Sequence, residues 1–278
     1  RGLFDLNTTL WSSWVVQGPL GHRFFFSGDT AYSSAYGNDE TQAECPAFKQ
    51  IGQIYGPMDL AAVAIGGYGP ELFFCGLNSK PEHAVRIHED IRSRKSVAIH
   101  WGTFMLTSEP VDEPPMSVQP LSDTASELSG EALRAELAKD KSHHLGGGRF
   151  HNPWPSFVQA PKLTLIKHVA FSRDHRAVNQ SIAEGRAPEV VALDHESLSH
   201  PSDVQLTWLG HASVLAQIDG ATILCDPVFS DRCSPVQWLG PKRYTKAPCQ
   251  VSELPGAIDV LIISHNHYDH LDWNTLRQ

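Results

Sequence analysis

Near the end of the chain stands the run Ser264-His265-Asn266-His267-Tyr268-Asp269-His270-Leu271-Asp272. Two imidazoles two residues apart, then a carboxylate and an imidazole side by side, can converge on one small volume when a loop carries them. Histidine and aspartate are ligands for divalent cations such as zinc, so this H-x-H-x-D-H pattern points to a metal site, against the plainer reading of a polar surface loop. Such a loop needs supports. The apolar, β-branched run Ile258–Ile263 predicts a buried strand that delivers the ligands at its C-terminal end. Residues Leu271 to Leu276 are compatible with a helix start, which sets Asp269 and His270 near its positive end.

Two more ligand-type side chains follow short apolar runs. Arg23-Phe24-Phe25-Phe26-Ser27 predicts a strand that stops at Gly28-Asp29-Thr30, and Ser96–Ile99 predicts one that delivers His100 and Trp101 before Gly102. Taken singly, a Gly-Asp-Thr sequence is a turn and a lone histidine is a hydrogen-bonded core residue. The surrounding elements are a strand over Leu10–Val16, a short amphipathic helix over Pro46–Tyr55 and a buried strand over Met58–Ile65. A helix opened by Pro81 keeps Ala84, Val85, Ile87 and Ile91 at helical spacing. Further on, Val204–Leu209, Ala212–Ile218 and Ala221–Cys225 read as a β-meander ending at Asp226-Pro227, with Asp219-Gly220 as its hairpin turn. The middle of the chain is less regular. It predicts an exposed helix over Thr124–Lys141, a flexible loop where His143-His144 meets Gly146-Gly147-Gly148, and a short helix at His175–Glu184.

Composition narrows the partners. The 278 residues, 41% of them hydrophobic, are enough for one large core without disulfide staples. A net charge of −9, with no block of Lys or Arg, argues against nucleic acid as a partner and offers anionic membranes no electrostatic anchor. The five cysteines are odd in number and lack C-x-x-C spacing, which indicates neither a disulfide framework nor a thiolate zinc finger. No apolar run reaches the roughly 20 residues that span a bilayer, and residues 1–7 do not read as a signal peptide, so the expected location is intracellular, cytoplasmic or peripheral on a membrane.

Asp29, His100 and the 265–270 cluster share one trait: a ligand-type side chain just past a short apolar strand. One sheet system with those strand ends on one edge would gather them. Four histidines and two aspartates exceed what one tetrahedral zinc needs, and a carboxylate can bridge two cations, so the expectation is a dinuclear site hydrolysing its substrate with metal-activated water.

The H-x-H-x-D-H loop, the Gly28-Asp29-Thr30 turn and the Ile99-His100-Trp101-Gly102 strand end resemble the metallo-β-lactamase superfamily. Within it, the chain is similar to the N-acyl-phosphatidylethanolamine-hydrolysing phospholipase D family. The runs carrying that likeness include Gly148–Pro155, Thr207–Ser213, Asp226–Ser230, Gly240–Tyr244, Phe24–Thr30, Gly56–Ala61, Glu82–His88 and Ser96–Phe104. The resemblance implies an α/β (α+β) fold, a four-layer αβ/βα sandwich forming a single domain over 1–278. In it, 1–140 corresponds to the family's C-terminal half and 141–278 to its N-terminal half, the reverse of the family's order. A family segment that would join the two, carrying a histidine that completes the zinc held by His265 and His267, has no counterpart in this sequence.

The same resemblance implies two Zn2+ ions: one on His265 and His267, the other on Asp269, His270 and His100, with Asp29 bridging. A hydroxide between them would attack the phosphodiester phosphorus, making Asp29 and Asp269 the catalytic carboxylates. Tyr68, Asn78, Trp101, His211 and Tyr268 are expected near the substrate. Gly69 and Asn78 stand where the family has an acidic residue and a histidine, a departure that touches substrate handling. Trp11, Trp14, Phe73, Phe74, Trp101 and Trp238 are candidates for contact with acyl chains, or for core packing. The implied partner is a phospholipid substrate, with peripheral membrane contact and a homodimer both admitted. The alternatives are a same-fold hydrolase of a soluble phosphodiester or lactone, and an inactive metal-binding protein.

Overall fold

A strand that is apolar at every position must be covered on both faces, and Leu60–Ala64 (β3) is buried from end to end. The computed structural model describes residues 10–33, 44–70, 74, 76–114, 144–145, 149–150 and 175–278. Around β3 it builds a four-stranded sheet in the order β1-β2-β3-β4, with β1 at Trp14–Gln17, β2 at Arg23–Phe26 and β4 at Ser96–Ile99. β1 runs antiparallel to β2, and β2, β3 and β4 are parallel. Parallel neighbours need crossovers. The helices Ala47–Tyr55 (α1) and Pro81–Asp90 (α2) lie in the two connections, at the positions the apolar spacing predicts.

Alternation along these strands sorts the side chains into two layers. Phe25, Ala61, Val63 and Ile65 pack with Phe48, Ala84, Ile87 and Ile91 of the helical layer. Phe24, Phe26, Leu60, Ala62 and Ala64 point the other way, against Val214, Ala216, Ile218, Ile223 and Ile262 of a second sheet. That second sheet, in the order β10-β9-β8-β7 with β10 at Val260–Ile262, contains the predicted meander: Val204–Gly210 (β7), Ser213–Ile218 (β8) and Ala221–Cys225 (β9). Asp219 and Gly220 turn β8 into β9 with φ of 52° and 85°, the left-handed pair that a two-residue hairpin requires. The outer face of this sheet carries Leu209, Leu215 and Leu224 against Leu198 of the short helix His195–Ser199 (α4) and against Leu254. Helix, sheet, sheet and helix are the four layers expected. Helix α3, Arg176–Ala183, forms where the short helix at 175–184 is predicted.

Two expectations are corrected. The run Ile258–Ile263 is not a buried strand: among the described residues Val260–Ile262 (β10) pairs only with β9, at the edge of its sheet, and Val260 is 41% and Leu261 48% exposed while Ile262 joins the inter-sheet core. An apolar run reports hydrophobicity, not how many neighbours a strand finds. At His143-His144 a flexible loop is expected, but His144–Leu145 (β5) and Arg149–Phe150 (β6) pair antiparallel as a two-stranded ribbon. The predicted helix over Thr124–Lys141 lies outside the described residues. Among the described residues no helix is long and apolar enough to cross a membrane, and Cys45, Cys225, Cys233 and Cys249 are free thiols.

Candidate metal centre

Four chain turns meet at one edge of the sandwich. β2 ends in Ser27-Gly28-Asp29, β4 in His100, the β7–β8 connection holds His211, and β10 leads into the 264–272 loop, which closes on Trp273–Leu276 (α5). The loop's spacing has a structural cause: the carbonyl of His267 accepts from the amides of His270 and Leu271, a tight turn that folds Asp269 and His270 back toward His265. Asp272 then caps α5 by accepting from the Asn274 amide.

The two sheets are locked together at this edge. Ser12 donates its amide to the Ser264 carbonyl (3.0 Å) and His100 donates its amide to the His211 carbonyl (2.8 Å). Gly28 has φ 56°, and a Cβ there would lie 2.5 Å from Cβ of Ser264, so only glycine lets the Asp29 turn close on the histidine loop. His100, His211 and Asp226 also sit at positive φ, 65°, 50° and 40°. A left-handed non-glycine residue costs about 1–3 kcal/mol, and these three strained residues fall within one site.

Asp29 is the centre of the arrangement. Its Oδ1 lies 2.9 Å from His100 Nε2 and 3.0 Å from His270 Nε2, and its Oδ2 lies 3.5 Å from His265 Nε2. Asp269 forms a second hub, with Oδ2 at 3.0 Å from His211, 3.5 Å from His270 and 3.6 Å from His100, all at Nε2. The ligand atoms fall into two groups compatible with a cation each, His100, His211, Asp269 and His270 in one and Asp29, His265 and His267 in the other. The structure therefore brings together Asp29, His100, His265, His267, Asp269 and His270, and adds His211 to their number.

The far sides of several rings are held. Nδ1 of His270 is 2.6 Å from Asp226 Oδ2, and Nδ1 of His100 donates to the Gly66 carbonyl at 3.0 Å. Because a carbonyl only accepts, the second contact fixes a proton on Nδ1 and turns Nε2 toward the carboxylates. Ser264 donates to Asp226 Oδ2 and stands 3.0 Å from His265 Nδ1. Trp11 stacks on His265 at 4.5 Å between centroids and meets His267 edge-on at 4.9 Å.

Charge follows from this geometry. Burial opposes ionisation of Asp29, yet His100 and His270 hold its carboxyl well below the usual carboxylate range, and His270 foremost does the same for Asp269. Against burial, Asp29 raises His100 to about 10 and lifts His270 far above an ordinary imidazole. His211 is pushed down to about 4 by burial and by His100, and His265 to about 2 by burial and by His270. A divalent cation needs ionised carboxylates and neutral imidazoles, so the carboxylates, His211 and His265 stand ready for one, and its binding would displace the protons that Asp29 and Asp269 hold on His100 and His270. Among the described residues the Nε2 atoms of His100, His265 and His270 and Oδ1 of Asp29 are buried and, though as close as 2.9 Å to one another, are not angled to hydrogen-bond. Four such orphaned atoms facing one another fit a bound cation.

Other expected residues are placed less centrally. Tyr68 is buried with its hydroxyl donating to Glu113, and Asn78 donates to the Gly67 carbonyl. Trp101 stacks on Trp208, Tyr268 is half exposed beside the histidines, and Phe74 is partly buried. Trp14 and Trp238 are exposed, and Phe73 lies outside the described residues. The residue that sequence reading missed is Asp226. It stands just past β9, so the rule that singled out Asp29 and His100, a ligand-type side chain at a strand end, would have found it.

Two models, each described as a beta-lactamase superfamily domain, match the chain, one over residues 1–101 and the other over 205–278. The N-acyl-phosphatidylethanolamine-hydrolyzing phospholipase D 1 of Caenorhabditis elegans is 40% identical over 129 residues, which is 46% of this chain and 33% of that protein. An uncharacterized protein of Mycobacterium bovis is 34% identical over 159 residues, 56% of this chain and 41% of that protein. A UPF0173 metal-dependent hydrolase of Sulfurisphaera tokodaii is 34% identical over 67 residues, 24% of each chain. The chain thus spans a third to two fifths of the length of the first two relatives.

Proposed function

Since the chain belongs to the beta-lactamase superfamily, we propose that the cluster is a two-zinc hydrolytic centre acting on the phosphodiester of an N-acylated phosphatidylethanolamine. The observation that carries the metal reading is Asp29: one carboxylate whose two oxygens face the histidines of both ligand groups, with buried, unpartnered Nε2 atoms around it. In this reading His265 and His267 hold one ion, His100, Asp269 and His270 hold the other, and Asp29 is shared. His211, at 3.0 Å from Asp269, orients that carboxylate. Bound there, two cations supply a water-derived nucleophile at neutral pH and polarise a phosphoryl oxygen.

The chain's own residues do the rest. Asp29 and Asp269 provide the negative charge that draws the ions, Asp226 and the Gly66 carbonyl aim His270 and His100, and Trp11 covers the His265–His267 side. Residues 1–140 and 141–278 act as the reversed halves of one catalytic domain, a reading supported by the contact of Gly28 with Ser264. The lipid substrate is carried over from the relative in Caenorhabditis elegans, and the exposed Trp14 and Trp238 are apolar surface available to it.

Metal analysis of the purified protein, paired with hydrolysis of N-acyl-phosphatidylethanolamine vesicles and of a soluble p-nitrophenyl phosphodiester, tests both levels. Close to two zinc ions per chain and a preference for vesicles are expected. A preference for the soluble ester overturns the lipid substrate and leaves the centre standing; protein that takes up no zinc overturns the centre.

A further inference from the structure

Glu109 lies in the segment that follows His100, and its carboxylate collects three hydrogen bonds. The amide of Gly67 donates to Oε1 at 2.6 Å, the amide of Gly69 donates to Oε2 at 3.1 Å, and the Thr107 hydroxyl donates to Oε1 at 2.8 Å. The two amides belong to the turn after β3, and the residue just before them, Gly66, offers the carbonyl that accepts from His100 Nδ1. Asn78 holds the same turn from the other side by donating to the Gly67 carbonyl at 2.6 Å.

The turn has little freedom to use other residues. A Cβ at Gly66 would lie 2.2 Å from the His100 carbonyl oxygen, one at Gly67 would meet Asn78 at 2.5 Å and the His100 ring at 2.9 Å, and one at Gly69 would meet Glu109 itself at 2.6 Å. Gly67 also has φ 85°. Three glycines in four residues make a floppy turn by composition, since glycine has the widest conformational choice. A floppy turn cannot aim an imidazole. Something outside it must supply the rigidity, and a carboxylate spanning two of its amides does so with charge-assisted hydrogen bonds, about twice as strong as neutral ones.

We propose that Glu109 is a positioning residue: by clamping the amides of Gly67 and Gly69 it fixes the Gly66 carbonyl, which holds His100 Nδ1–H and so aims His100 Nε2 between Asp29 and Asp269. The proposal rests on the metal-centre reading for its consequence, the affinity of the ion on the His100 side, but its geometric core stands without a metal. Outer partners of ligand residues change metal affinity by about 10–100-fold when removed.

The test is Glu109→Gln, which keeps size, removes the charge and turns one of the two acceptor oxygens into a donor, with Asp112→Asn as control. Asp112 sits three residues on in the same segment and pairs with Arg186 on the surface at 2.6 Å, away from the glycine turn. In metal-free protein, NMR measures how well the His100 Nδ1 proton is protected from solvent exchange. Zinc titration and the visible spectrum of the cobalt-substituted protein then report the ion. Glu109→Gln is expected to lose the Nδ1 protection and to weaken one of two ions about 10-fold or more with an altered cobalt band, whereas Asp112→Asn leaves all three readouts as in the wild type. Full Nδ1 protection in Glu109→Gln, or equal loss in Asp112→Asn, overturns the proposal. If the wild type binds no metal, the centre falls while the protection measurement still decides the role of Glu109. Should Glu109→Gln fail to fold, Glu109→Asp, which draws the carboxylate back from both amides by one methylene, takes its place, and an Nδ1 proton protected in it as in the wild type overturns the proposal.

Discussion

The two ligand groups are built differently. In the first, His100 and His270 are each held at Nδ1 by a buried partner, one by a backbone carbonyl and the other by a carboxylate, and His211 leans on Asp269. In the second, His265 rests against the Ser264 hydroxyl and, with His267, against the ring of Trp11. The first group is oriented by hydrogen bonds between buried polar atoms, and the second adds an aromatic surface to the Ser264 contact. Directional partners define an angle and punish its loss, whereas a stacked ring tolerates sliding. The difference predicts a tight, geometrically defined ion on the His100–His270 side and a weaker, more exchangeable one on the His265–His267 side.

The largest effect should come from erasing the difference altogether. Asp29 offers a carboxylate oxygen to each group, so Asp29→Asn is expected to reduce metal content toward zero and activity by at least about 100-fold, beyond what loss of an outer partner does. Metal analysis and initial rates check it, and retention of one full equivalent would show that the groups do not share this carboxylate. Asp226→Asn comes next. It frees His270 and Ser264 together, and it should weaken the first ion by about 10–100-fold while lowering stability by about 1–3 kcal/mol through the unmade buried hydrogen bonds. Stepwise zinc titration with thermal melts measures both quantities; equal weakening of the two ions would erase the contrast.

How much of this was legible in the sequence depends on range. Within a stretch of ten residues, residue type and spacing sufficed: the H-x-H-x-D-H loop, the α1 and α2 helices, and the Asp219-Gly220 turn all lie where local patterns put them. What local patterns cannot reveal is which neighbour a strand acquires. β10 is as apolar as a central strand, yet among the described residues only β9 pairs with it, and no arithmetic on Val260, Leu261 and Ile262 distinguishes the cases. Likewise Glu109 is an ordinary acid in sequence, and its role arises because it meets Gly67, 42 residues away. Asp29 and His100 were found because glycine and strand ends flanked them; Asp226 carried the same mark beside a proline.

The second group offers a milder perturbation. Trp11→Ala removes a stacked contact of the kind worth about 0.5–1.5 kcal/mol, so the His265–His267 ion should weaken by roughly 2- to 10-fold and the first ion should not change. A cobalt titration resolves the two; a shift in the first ion's affinity would mean that Trp11 supports the whole edge and not one group.

The smallest effect belongs to a contact between the same two sheets at the far end of the sandwich, where no ligand is involved. Asp219, in the β8–β9 turn, accepts from the Leu20 amide at 2.9 Å and pairs with the His22 ring in the β1–β2 connection. Gly18 makes room for it, since a Cβ there would fall 2.2 Å from Asp219 Oδ2. The hydrogen bond to Asp219 raises His22 above its ordinary 6.5, and His22, against the penalty of burial, lowers Asp219 below its ordinary 3.8. The contribution of His22 is therefore fully present below pH 6.5 and lost as pH rises through its raised value, and that of Asp219 is present above pH 3.8 and lost as pH falls through its lowered value. Melting temperature followed across that range should decline above neutrality in the wild type, and less steeply in Asp219→Asn, with metal affinity equal in the two proteins. A change in metal affinity in Asp219→Asn would show that the far end of the sheets is coupled to the ligand edge, and the contrast between the two groups would then no longer be a local property of their partners.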